Sequence, residues 1–167
     1  MKELIEKVEK WGKDRELDKK GTVKGQQVKT AEEMAELIIG ISKDNIEVIK
    51  DSIGDVIVTL IIGNMLDKKY DFNKIFIEAE SDYTRLEKHF NDLSKIQVIK
   101  SLTFHLLLIA RYEYNRDLYL KNIIYCLKRI ASIYKLEIKD CLSAAYKKIE
   151  ARTGKTINGT FIKSEDL

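Results

Sequence analysis

The chain has 167 residues, 44% hydrophobic and 34% charged, enough apolar material for a folded core and too much for a disordered chain. It has no proline and only 8 glycines, which leaves little turn chemistry for a β-sandwich or barrel and nothing to interrupt long helices. Lys and Arg (30) exceed Asp and Glu (27) by a net charge of +3, too mild to indicate a nucleic-acid or membrane-surface protein.

Helical periodicity runs through almost the whole chain. A first helix is predicted over residues 2–13, with Leu4, Ile5, Val8 and Trp11 on one side and a loop at 18–21 after it. A second covers 24–42 and is expected to bury Val28, Ala31, Met34, Ala35, Ile38 and Ile41. Asp44 and Glu47 read as a capping box for a third helix that reaches Lys68, with Ile46, Ile49, Ile53, Val56, Ile57 and Leu60 inward. Asp71 is expected to cap a helix from Phe72 to about Asn91, broken near Ser81. Ser94 and Gln97 read as a second capping box, for a helix reaching Tyr114. Two more helices are predicted over 117–134 and 139–153, with Gly154 as a left-handed C-terminal cap and 155–167 as an extended tail.

Cys126 and Cys141 fall inside helical patterns and fit neither a disulfide framework nor a zinc site. The N-terminus has no apolar signal region, and the longest apolar stretch, 56–66, is too short to span a bilayer. The expectation is a cytoplasmic, single-domain, all-α protein with no membrane partner.

The second and third predicted helices carry an acidic constellation. Glu33 and Glu36 are three apart and Asp51 and Asp55 four apart, so each pair shares a helix face. With the turn centred near Lys43, Glu36 lies seven residues before it and Asp51 eight after; Glu33 and Asp55 lie ten before and twelve after. Antiparallel packing of two short-looped helices therefore sets the four acids at matching levels. Such convergence is unfavourable without a cation, and oxygen ligands with no His or Cys suit Mg²⁺, or Mn²⁺, better than zinc. Magnesium commonly completes its shell with substrate phosphates, which directs attention to phosphoanhydride chemistry. The competing reading is a solvated acidic face, with Lys29 pairing Glu33 and Lys50 screening Asp51.

Glu32-Glu33-Met34-Ala35-Glu36, followed across a short turn by Ile53-Gly54-Asp55-Val56, resembles the MazG-like all-α nucleoside triphosphate pyrophosphohydrolases. Trp11-Gly-Lys-Asp-Arg15, Gln26-Gln-Val-Lys29, the run 144–155 and Asn158-Gly-Thr-Phe-Ile-Lys163 are similar to segments of its phage and bacterial members. The resemblance covers about 8–64 and 123–165, and about 71–116 has no counterpart and reads as a helical insertion. It implies an antiparallel helical bundle, a homodimer or homotetramer, and Mg²⁺-dependent conversion of a nucleoside triphosphate to the monophosphate and pyrophosphate. By position it assigns Glu33, Glu36 and Asp55 as metal ligands. The family's remaining acid falls on Ser52, and Asp51 stands one residue earlier as the substitute. Glu32, about 100° round the helix from Glu33, is a candidate either for supporting the metal ligands or for general base, and Gln26, Lys29, Arg152 and Lys155 are the candidate substrate contacts.

Gly154-Lys-Thr156 is no P-loop, because position 149 is isoleucine and a helix precedes it. His89 and His105 have no nucleophile partner, and His105 is expected to be a hydrogen-bonded core residue. Among Tyr112, Tyr114, Tyr119, Tyr125 and Tyr134, packing is the expected role and base stacking the competing one. A non-catalytic helical interaction or regulatory protein that keeps the acidic hairpin is the alternative function. Nucleic-acid binding through the basic tail 147–163 has little support at this net charge.

Overall fold

The computed structural model describes residues 1–86, 88, 92–111 and 116–167, with the backbone alone at 109–111, 160 and 166. Among the described residues the chain forms α1 (Lys2–Asp14), α2 (Leu17–Lys20), α3 (Val23–Ser42), α4 (Ile46–Asp67), α5 (Phe72–Arg85), α6 (Lys95–Arg111), α7 (Arg116–Ile133) and α8 (Ile138–Glu150). A hairpin of β1 (Gly154–Ile157) and β2 (Thr160–Lys163) follows, then a 3₁₀ turn at Ser164–Asp166. The fold is all-α, as composition and periodicity predict.

α4 is the axis of the molecule. Ile49, Ile53, Ile57 and Ile61 recur every fourth residue and are fully buried, while Val56, Val58, Leu60 and Ile62 bury the flanks. A helix apolar on all sides must be surrounded, and α3, α8, α1, α2 and α7 all pack on α4. The segment expected as an insertion joins the same body: α5 and α6 pack on α7, α6 also meets α3, and Phe72, Phe76, Val98 and Leu102 belong to one continuous core with Ile5 and Ile149. Lys121 with Glu78, Lys128 with Glu80 and the Tyr125 hydroxyl with Asp82 cross-link α7 to α5.

Two caps form as expected. Asp71 Oδ1 accepts from Lys74 N at 3.1 Å, and Ser94 and Gln97 exchange hydrogen bonds, Ser94 N to Gln97 Oε1 at 2.9 Å and Gln97 N to Ser94 Oγ at 3.4 Å. α4, by contrast, is capped by Asn45, whose Oδ1 accepts from Val48 N at 3.3 Å. Asp44 takes the left-handed conformation (φ 48°) and ties the α3–α4 turn to Lys95 and Tyr134. Asp44 and Glu47 therefore do not form the expected box.

Other expectations are corrected. Residues 18–21 are no simple loop, since 17–20 make one helical turn after Glu16 at φ 58°. α3 buries Thr30, Met34, Leu37, Gly40 and Ile41, whereas Val28, Ala31 and Ala35 are exposed. Apolar residues occupy both sides of this helix, and packing selects the side where α4 comes closest: a Cβ on Gly40 would lie 3.0 Å from Val48 Cγ1. Ile46, at the first turn of α4, is exposed. α5 runs unbroken through Ser81 and ends at Arg85; its expected extension to Asn91, and that of α6 to Tyr114, reach outside the described residues.

The C-terminal segment differs most. α8 ends at Glu150 on Ala151, so Gly154 is not a helix cap. It lies in β1, where a Cβ would stand 2.1 Å from the Ile162 carbonyl oxygen. The tail is extended but paired, and it turns at Asn158 (φ 51°) and Gly159 (φ 84°), the two positive angles that a two-residue hairpin turn requires. The turn docks on the start of α3, where Thr22 N donates to the Gly159 carbonyl at 3.2 Å.

Candidate active site

The hairpin of α3 and α4 opens on one side into a cavity of about 390 Å³, closed by α1, the end of α8 and β2. Glu33 and Glu36 line it from α3 and Asp51 and Asp55 from α4, as helical spacing and level matching predict, and Glu32 lines it as well. Arg152 and Lys163 line it as well, so acids of the central helices share the cavity with cations from the C-terminal segment.

α4 and α8 pack closely beside the cavity. A Cβ on Gly54 would fall 2.3 Å from the Cys141 carbonyl oxygen and 2.7 Å from Ala145 Cβ, so helix packing accounts for this glycine. Trp11 and Arg15 hold the far end of α8. The Trp11 indole N–H donates to the Ile149 carbonyl at 2.7 Å, and Arg15 donates to the Arg152 carbonyl through Nη2 at 2.5 Å and Nε at 3.1 Å. They add donors to carbonyls at and just beyond the end of α8, where the Ile149 carbonyl also accepts from Arg152 N at 2.9 Å, and they fix the backbone that carries Arg152.

The acids differ in their surroundings. Glu32 pairs with Lys29 at 2.5 Å, and Asp51 pairs with Lys148 from α8. Glu33, Glu36 and Asp55 form no ion pair or side-chain hydrogen bond among the described residues. Burial, then Asp55 and Glu36, push the Glu33 carboxyl up to about 7 against partial relief from Lys29. Burial, then Asp51, raise Asp55 to about 6, with Arg152 and Lys148 opposing. At Glu33 and Asp55, burial and the neighbouring acids therefore outweigh the nearby cations.

A divalent cation fits that set in charge and in donor chemistry, since every donor is a hard oxygen. The side chains as they stand do not enclose one: among the described residues, no three His, Cys, Asp or Glu side chains make a group that could hold a metal ion.

The remaining expected contacts divide. Gln26 and Lys29 line the cavity, and Gln26 Nε2 donates to the Thr59 carbonyl at 3.2 Å. Arg152 lines it as well. Lys155 does not: it sits opposite Ile162 in the hairpin, and the strand's two-residue period puts that pair on the face away from Phe161 and Lys163. Ser52 is buried at 2% exposure, and the cavity takes its acid from Asp51 instead.

Trp11, Phe161 and Lys163 line the site; they fall in segments that carry the resemblance, but the sequence assigned them no site role. The pairing of Trp11 with Phe161, centroids 5.4 Å apart and edge-to-face, joins residues 150 positions apart, and only the Asn158-Gly159 turn signals it locally. The described tyrosines serve packing: Tyr125 and Tyr134 bind Asp82 and Asp44, and Tyr119 lies near His105. His105 bonds the Ser101 carbonyl at 2.7 Å and is partly buried. His89, Tyr112 and Tyr114 lie outside the described residues. No helix among the described residues is long and apolar enough to cross a membrane.

No protein-family profile matches the chain, and no solved structure matches it. A 62-residue stretch, 37% of the chain, is 42% identical to an uncharacterized 18.2 kDa protein from the rep-hol intergenic region of Haemophilus phage HP1 (strain HP1c1). That match spans 38% of the phage protein's length.

Proposed function

We propose that the chain is a cytoplasmic, Mg²⁺-dependent nucleoside triphosphate pyrophosphohydrolase of the MazG-like, all-α kind, yielding a nucleoside monophosphate and pyrophosphate. The observation that carries it is the cavity between α3 and α4, whose lining joins five carboxylates to Arg152 and Lys163. Glu33, Glu36, Asp51 and Asp55 would hold Mg²⁺ or, in its place, Mn²⁺. When bound, the ion offsets polyphosphate charge and lowers the pKa of a coordinated water. Arg152 and Lys163 attract the polyphosphate, and Gln26 and Lys29 contact the substrate from α3. Glu32 takes the proton of the attacking water on a carboxylate oxygen, with Lys29 holding that carboxylate in place. The assembly is a homodimer or homotetramer, supported by Val28, Ala31, Ala35 and Ile39, an exposed apolar stripe along α3.

Two observations favour a second reading, a non-catalytic helical interaction or regulatory protein. The carboxylates as posed do not enclose an ion, and Lys148 already neutralises Asp51. Asp55→Ala separates the two. As an enzyme the variant loses turnover while its helicity and melting temperature stay at or above wild type; a fully active Asp55→Ala protein removes the enzymatic proposal.

A further inference from the structure

The cavity lining is of two chemical kinds. The acids, Arg152 and Lys163 are its charged part; Leu17, Ile62 and Trp11, which touches Phe161 and Ile149, are its apolar part. A bare polyphosphate has no use for the apolar part, whereas a flat ring gains by leaving water there.

The aromatic wall is built before any ligand arrives. Trp11 is 8% exposed, its N–H is committed to Ile149, and the Arg15 guanidinium covers its ring at 4.7 Å, so the indole has a fixed orientation. Phe161 meets it edge-on at 5.4 Å and is less buried. Phe161 and Lys163 are alternate residues of β2, so both project from one strand face, about 7 Å apart along it. That spacing is comparable to the step from a nucleobase across its sugar to the phosphates. The hairpin is itself anchored: Gly159 rests on Thr22, the Thr156 hydroxyl donates to the Arg15 carbonyl at 3.0 Å, and Ser164 N donates to the Thr153 carbonyl at 2.9 Å.

Resting on the reading of this cavity as a nucleotide site, we infer that the C-terminal hairpin is one wall of it: Phe161, backed by Trp11, packs on the nucleobase, and Lys163, beside Arg152, takes the polyphosphate. The hairpin is thus what distinguishes a nucleotide from inorganic polyphosphate.

The test measures binding, not turnover. The α,β-methylene triphosphates of adenosine, guanosine, cytidine and uridine, and inorganic tripolyphosphate, are titrated calorimetrically into the full chain with Mg²⁺ present. Trp11, the sole tryptophan, provides a fluorescence signal from the cavity itself. Phe161→Ala is expected to weaken the best nucleotide by about tenfold or more, the loss of one base–aromatic contact, while tripolyphosphate affinity stays within about twofold. Lys163→Gln is expected to weaken both ligands. Retained tripolyphosphate binding shows that the Phe161→Ala site is intact. Where Phe161→Ala loses both ligands, Phe161→Leu decides: weaker nucleotide binding with unchanged tripolyphosphate binding supports the assignment, and any other pattern overturns it. It is also overturned if Phe161→Ala binds nucleotide like wild type, or if wild type binds tripolyphosphate as tightly as any nucleotide. A wild-type protein that binds none of the five ligands refutes the nucleotide reading of the cavity itself, a result distinct from those.

Discussion

Replacing Asp55 by asparagine should make the metal-free protein more stable at about pH 8 and leave it nearly unchanged at about pH 3. In the fold the Asp55 carboxyl is raised from 3.8 to about 6, chiefly by burial and then by Asp51. Between those values the native state holds a proton that the unfolded chain has released, so stability falls as pH rises through the window. The penalty is absent well below 3.8 and complete above about 6. Two pKa units correspond to about 3 kcal/mol at most. Cavity water and side-chain adjustment reduce this, and about 1.5 kcal/mol is expected, or about 3–6 °C in melting temperature for a chain of this size. Asparagine preserves the shape and removes only the charge. The assay is thermal unfolding of both proteins, followed by circular dichroism in chelator, at several pH values. Mg²⁺ should then raise the wild-type melting temperature more than the variant's, because it stabilises only the form that binds it. An Asp55→Asn protein no more stable than wild type at about pH 8 in chelator would refute the claim of uncompensated charge.

Glu33 carries the same sign over the range from 4.5 to about 7, so Glu33→Gln should stabilise the chelated protein at neutral pH, checked in the same unfolding series. Gly54→Ala sets a Cβ 2.3 Å from the Cys141 carbonyl oxygen; overpacking minus the helical gain of alanine leaves a net loss of about 2 kcal/mol by urea unfolding. Trp11→Phe removes the 2.7 Å bond to the Ile149 carbonyl and should cost about 1–3 kcal/mol in the same measurement. Light scattering of wild type should give two or four times 19.4 kDa, and Ile39→Asp should reduce it to the monomer.

The order of the helices, and the cavity face of the acids, could be read from the sequence because both depend on local spacing. Asp71, Ser94 and Gln97 announce their caps through contacts three residues long. Glu33, Glu36, Asp51 and Asp55 line one cavity, as their helical spacing and the short turn between the helices predict.

What was not legible depends on packing. α3 carries Val28, Ala31 and Ala35 on one side and Met34, Leu37 and Ile41 on the other, and only the approach of α4 at Gly40 decides which side is buried. Asn45 displaces Asp44 as the cap because Asp44 is drawn to Lys95 and Tyr134, partners 51 and 90 residues away. The Asn158-Gly159 pair does signal a hairpin, but strands of four residues are too short to show alternation clearly, so the segment reads as a tail. Phe161 and Lys163 enter the site through that turn, and Lys155 leaves it for the same reason.

The most direct test of the proposed activity is product analysis. Purified protein is incubated with each common ribo- and deoxyribonucleoside triphosphate, with Mg²⁺, with Mn²⁺ and with chelator, and monophosphate and pyrophosphate are quantified together. The expected result is metal-dependent release of the two in equal amounts from at least one substrate. Release of orthophosphate instead, or no release with any nucleotide and either metal, would contradict it.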